Sequence, residues 1–249
     1  MSGHSKWSTI KRKKEKTDAQ RAKVFTKIGR EMAVAIREGG PSPEVNGKLR
    51  DLIAKAKANN IPNDNIDRII KKASGSDNRD EYEAINYEGY GVGGVAVIVE
   101  ALTDNRNRTA GDVRHYFDKF GGNLGQTGCV SFLFSQKGVI TMDAEGVDEE
   151  KLMDDVFAAG AEDYSIEDGV VEILTDDPYA VHDVSGALEK LGYTIESSEP
   201  SYIPSTTVAL DDEDSRKKMS LLLEHLEDND DVQAVWHNWE NPDEDDEEE

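Results

Sequence analysis

The sequence predicts an α+β multidomain protein: an N-terminal three-helix bundle followed by two ferredoxin-like α+β domains, one inserted in the other. Three observations carry this expectation. Apolar residues recur at helical period in three stretches before residue 75, and strand and helix patterns alternate after residue 94. The two regions carry opposite charge: residues 1–79 hold 19 Lys and Arg against 9 Asp and Glu, whereas the remainder holds 10 against 43. Between them lies SGSDNRDE, residues 74–81, a polar stretch of the kind that separates domains.

The first 16 residues contain Lys6, Lys11, Arg12, Lys13, Lys14 and Lys16 without apolar periodicity, and read as a basic arm with one aromatic, Trp7. A helix follows from Thr17, which has capping-box spacing to Gln20. Val24, Phe25, Ile28, Met32, Ala35 and Ile36 form its apolar face, and Gly39 and Gly40 end it. On the opposite side of the wheel lie Lys23, Lys27, Arg30 and Arg37.

The pair Ser42-Pro43 predicts the start of a second helix that buries Val45, Leu49, Leu52, Ile53 and Ala56 and closes at Asn59 and Asn60. A third follows Pro62 and Asn63, buries Ile66, Ile69, Ile70 and Ala73, and stops at Ser74-Gly75.

After the junction, GVAVIVEAL (94–102) predicts a strand, TAGDVRHYFDKF (109–120) a helix capped by Thr109, and CVSFLF (129–134) a strand. Next come a strand at 138–143, a helix at 149–159, strands at 163–167 and 169–175, a helix at 178–191 and a strand from 193. This β-α-β-β-α-β order is one complete ferredoxin-like unit. A strand at 206–210, a helix at 213–228 and a strand at 231–236 then complete the interrupted first unit.

The divisions expected are therefore four. Residues 1–79 are the arm and a nucleic-acid-binding helical domain; 80–135 with 204–240 form an α+β domain; 136–203 are inserted in it; and 241–249 are a disordered acidic tail.

Composition narrows the function. No apolar run approaches the roughly 18 residues of a membrane span, and no apolar signal segment opens the chain, so a cytoplasmic, membrane-free protein is expected. Cys129 is the sole cysteine, which excludes an internal disulfide, and the five histidines lack metal-ligand spacing. No metal, no cofactor and no catalytic signature is expected, hence no enzyme. GYGVGG (89–94) satisfies the dinucleotide pattern, but a strand follows it where a helix is required, so it reads as a turn.

A local cation cluster gains free energy from nucleic-acid phosphates through counterion release, whatever the total charge. The candidate nucleic-acid contacts are Lys6, Trp7, Lys11, Arg12, Lys13, Lys14, Lys16, Lys23, Lys27 and Arg30, with Trp7 able to stack on an unpaired base. The arm alone also fits a solvated, solubilising tail. Arg106 and Arg108 in TDNRNRT form a second cluster, suited either to phosphate or to pairing with nearby carboxylates.

The segments SGHSKW, RAKVFTKIGREM, YEGYGVGGVAVIVEALTDNRNRT, GGNLGQTGCVSFLFSQKGVI and IPST, in this order, closely resemble the YebC/PmpR family of bacterial proteins. The resemblance implies three domains and a DNA-binding transcriptional regulator. It also admits a translation factor that binds ribosomal or transfer RNA, since a similar mitochondrial protein is a translational activator for a cytochrome oxidase subunit and members act on ribosomes stalled at proline-rich sequences. A monomer is expected.

Overall fold

The computed structural model describes residues 18–75, 82–167 and 169–240. Their regular elements are α1 (Asp18–Gly39), α2 (Gly47–Ala58), α3 (Asn63–Ser74), β1 (Glu83–Tyr90), β2 (Ala96–Thr103), α4 (Arg106–Lys119), β3 (Asn123–Leu124), β4 (Phe134–Asp143), α5 (Glu149–Ala159), β5 (Asp163–Glu167), β6 (Val170–Thr175), α6 (Val181–Lys190), β7 (Ser197–Pro204), α7 (Glu213–Asp228) and β8 (Val232–His237). The architecture is α+β, with seven α-helices and two four-stranded antiparallel sheets among the described residues.

Helices α1 to α3 share one apolar cluster. Ile28, Met32, Ala35 and Ile36 of α1 meet Leu49, Leu52 and Ala56 of α2 and Ile66 of α3, as the helical periodicity requires. Gly40, at φ 84°, follows the end of α1. The second helix starts later than Ser42-Pro43 predicts. Its N-cap is Asn46, whose Oδ1 accepts from Leu49 N–H at 3.1 Å while Nδ2 donates to the carbonyls of Ala35 and Gly40 at 2.8 Å. One buried amide thus satisfies groups at the end of α1 and the start of α2, which the Ser42 hydroxyl, turned to Glu44, does not. Val45 is consequently 81% exposed in the intervening turn, not buried.

The first sheet has the order β3-β1-β2-β8. Val97, Val99, Val113, Phe117, Met219, Leu222, Leu226 and Trp239 pack α4 and α7 against it. Strand β1 was hidden from the sequence because its outer half is exposed and its burial does not alternate cleanly. The turn reading of GYGVGG stands: its first two residues end β1, Val92–Gly94 make a single 3-10 turn with Gly93 and Gly94 at positive φ, and β2 follows where the dinucleotide pattern requires an α-helix.

Three other expectations are corrected by the structure. The helix begins at Arg106, not Thr109: Asn105 is its N-cap, accepting from Arg108 N–H at 3.1 Å, and Thr109 is buried one turn in. CVSFLF is not a strand, because Val130 and Ser131 amides are drawn onto a carboxylate, leaving a 3-10 turn at Ser131–Leu133 before β4. TTVAL contributes only a parallel bridge, Val208 to Trp239, since Asn238 engages the neighbouring backbone.

The second sheet has the order β5-β6-β4-β7. Ile140, Met142, Val171 and Ile173 bring it against Leu152 and Val156 of α5 and Val181, Val184 and Leu188 of α6. The helix expected at 178–191 is trimmed to Val181–Lys190, and β7 begins at Ser197 instead of 193, because Gly192 at φ 98° and a turn after it reverse the chain first. A further apolar cluster joins the two sheets: Ala96 and Ile98 of β2 lie with Val130 and Phe134, flanked by Tyr202 of β7 and Trp236 of β8.

Candidate nucleic-acid interface

The arm candidates Lys6, Trp7, Lys11, Arg12, Lys13, Lys14 and Lys16 lie outside the described residues. Those on α1 do not. Lys23, Lys27 and Arg30 occupy one face, four and three residues apart, as the periodicity indicates.

That face abuts the C-terminal end of α7 and the turn into β8. Lys23 Nζ lies 2.7 Å from Asp228 Oδ1, and Lys27 Nζ donates to the Glu227 carbonyl at 2.7 Å. Arg30 Nη1 reaches the carbonyls of Asp230 (2.7 Å) and Leu102 (3.1 Å) and Asp231 Oδ1 (2.5 Å), and its guanidinium lies 5.5 Å from the Tyr82 ring centroid. Cations here also face the negative end of the α7 macrodipole. Arg37 donates to the Tyr82 carbonyl at 3.3 Å.

The second cluster is drawn to the same corner. Arg106 Nη1 pairs with Glu83 at 3.1 Å, and Arg108 Nη2 lies 2.8 Å from Asp104 and 2.7 Å from Asp231. For Arg106 and Arg108 the carboxylate-pairing alternative is therefore the arrangement seen.

Asp231 is the centre of this corner. It is 3% exposed, and besides the two arginines it accepts from the hydroxyls of Thr109 (2.6 Å) and Thr103 (3.1 Å). Burial alone would raise its pKa, but hydrogen bonds from Thr109, Arg108 and Arg30 outweigh that and hold it at about 2. The same bonds, from Asp231 first and then Asp104, push the Arg108 guanidinium up.

Glu88 is a second buried carboxylate, at the end of β1. It accepts from the backbone N–H groups of Gly128 (2.8 Å), Val130 (2.9 Å) and Ser131 (2.9 Å). Desolvation opposes its ionisation, yet these three bonds leave its pKa below the ordinary value. The loop it ties down presents Phe132, which is 72% exposed.

Neither carboxylate is marked in the sequence. Asp231 closes the run DNDD among 52 acidic residues, and Glu88 sits in YEGYG without a charged neighbour in the chain. Among the described residues no group of three His, Cys, Asp or Glu could hold a metal ion, and no helix is long and apolar enough to cross a membrane.

The family model described as the TACO1/YebC protein N-terminal domain matches residues 5–76, and that described as the TACO1/YebC second and third domain matches residues 82–239. The chain belongs to the TACO1/YebC family. The resemblance read from its motifs is thereby confirmed. It is 57% identical over 240 residues to a protein of Acetivibrio thermocellus named "Probable transcriptional regulatory protein", covering 96% of this chain and 99% of the relative. A protein of Ruminiclostridium cellulolyticum with the same name is 57% identical over 249 residues, covering 100% of both chains. The crystal structure of a conserved hypothetical protein from Aquifex aeolicus superposes with a TM-score of 0.80 at 48% identity, covering 90% of this chain and 92% of that one.

Proposed function

We propose that this TACO1/YebC-family chain is a non-enzymatic nucleic-acid-binding regulator, and that it acts as a DNA-binding transcriptional regulator. The observation that carries the reading is the charge division: 19 cations against 9 anions up to residue 79, on a body with 10 against 43. A polyanion meets one attractive end and a repulsive remainder, which orients it. The regulator names of the relatives support the same reading.

In this reading residues 1–79 are an arm and a three-helix bundle. Residues 136–203 are a ferredoxin-like domain inserted between 80–135 and 204–240. The shared apolar cluster of α1 to α3 and the sheet order β5-β6-β4-β7 support that division. Lys6, Lys11, Arg12, Lys13, Lys14 and Lys16 take phosphates and Trp7 stacks on a base.

The test is fluorescence anisotropy of the full chain with a 30-base-pair duplex DNA and a structured RNA, titrated across salt. Replacing Lys11, Arg12, Lys13 and Lys14 by Ala should reduce the log-log salt slope by about 0.7 to 0.9 for each phosphate no longer neutralised. An unchanged slope rejects the arm as the contact surface. Tenfold tighter binding of the RNA would transfer the role from transcription to translation.

A further inference from the structure

The basic face of α1 and the acidic end of α7 are complementary surfaces on two differently charged parts of one chain. Lys23, Lys27 and Arg30 form a row about 10 Å long, the axial length of about three nucleotides of a DNA strand. Every one of them is engaged by a carboxylate or carbonyl from Glu227 to Asp231.

Two features distinguish this joint from a fixed core contact. Among the described residues it is built of ion pairs, bonds to carbonyls and the Arg30–Tyr82 cation–ring contact, while the apolar clusters of the two parts share no side chain. Polar joints between domains resemble transient interfaces and separate more readily than apolar ones. In addition, Asp231 is over-supplied. If Arg30 leaves, the buried carboxylate keeps Arg108, Thr109 and Thr103, so opening does not strand an unpaired buried charge.

We propose that Lys23, Lys27 and Arg30 form a nucleic-acid phosphate-binding row held shut by the α7–β8 corner, which acts as an intramolecular phosphate mimic. This rests on the nucleic-acid reading above and adds a closed and an open state to it. The backbone of a bound strand competes with Asp228, Asp231 and the carbonyls of Glu227, Asp230 and Leu102 for the same three cations. When the competitor wins, α1 parts from the corner.

The experiment locks the joint in the full-length chain. Lys23→Cys and Asp228→Cys are introduced together with Cys129→Ser, and the protein is either bridged with a bismaleimide or capped at both thiols with N-ethylmaleimide. Both forms carry the same substitutions, and circular-dichroism melts verify that both fold. The probes are a 30-base-pair DNA duplex and a 30-nucleotide RNA hairpin, each measured from low to high salt.

Locking should weaken probe binding on the order of tenfold at low salt and lower the slope by roughly 1.4 to 1.8, the share of the two remaining cations. The separate variant Asp228→Asn, which loosens the corner at an exposed position, should tighten binding about two- to fivefold. Equal affinity and slope in the locked and capped forms, or weaker binding by Asp228→Asn, overturns the latch while leaving nucleic-acid binding through the arm intact. Failure of both forms to bind either probe overturns the nucleic-acid reading and the latch with it. Whether DNA or RNA shows the larger locking effect identifies which phosphate backbone the row takes.

Discussion

Replacing Asp231 by Asn keeps the shape of the side chain and removes the charge that two guanidiniums and two hydroxyls converge on. The folded-state pKa is about 2 against an ordinary 3.8. With about 1.4 kcal/mol per pKa unit, the ionised carboxylate contributes about 2.5 kcal/mol to folding. The Arg30 and Arg108 bonds are part of that contribution, and with the amide accepting more weakly than the carboxylate the loss at pH 7 should be about 2 to 4 kcal/mol. The pKa is depressed on folding, so the contribution is fully present above pH 3.8 and is lost as pH falls through the folded value. Urea denaturation of the native chain and Asp231→Asn at pH 7, 5 and 3 measures this. The difference between them should be constant from pH 7 to 5 and shrink at pH 3. A loss below about 0.5 kcal/mol at pH 7, within the range of ordinary surface substitutions, would show that the corner does not depend on this charge. A difference that did not shrink at pH 3 would show that the loss is one of packing.

Glu88→Gln should cost about 1 to 3 kcal/mol, because an amide replaces the anionic acceptor of three amides; hydrogen exchange at Gly128, Val130 and Ser131 should accelerate, and unchanged protection there would refute the anchoring role. Asn46→Ala removes a cap and two bonds to carbonyls at once, so a loss of about 1 to 3 kcal/mol is expected in thermal melts of the full chain. Deleting residues 241–249, which hold seven acidic groups, should tighten nucleic-acid binding at low salt and have a fading effect at high salt if the tail competes for the arm; no effect at any salt leaves the tail a solubilising segment.

Helix positions were legible where an apolar stripe met a built-in stop. The 213–228 and 149–159 helices match their expected limits because Asp212 and Asp148 cap them with side chains that accept from Ser215 and Lys151. Boundaries failed where a distant group decided them. Asn46 displaces the start of α2 by reaching back to Ala35 and Gly40, and Thr109 lies inside α4 because Asp231, more than a hundred residues away, takes its hydroxyl. Local propensity contains neither fact. The CVSFLF segment has strand composition, yet the Glu88 carboxylate collects its amides before a partner strand can.

The candidate cations illustrate the same limit for the site. The sequence identified Lys23, Lys27 and Arg30 as one face by their spacing alone, and that spacing is what the helix realises. What they face is a property of tertiary placement: with 52 acidic residues in the chain, no local rule selects the four at 227, 228, 230 and 231, interrupted by Asn229. Asn229 helps make the selection, since its Oδ1 accepts from the Asp231 N–H at 2.9 Å and turns the chain out of α7. That turn brings the Asp230 carbonyl and the Asp231 carboxylate to the same guanidinium. A basic helix face on an acidic protein is therefore ambiguous from sequence in a specific way. The partner with the highest effective concentration is the protein's own acidic surface, and an external phosphate must displace it before it can be bound there.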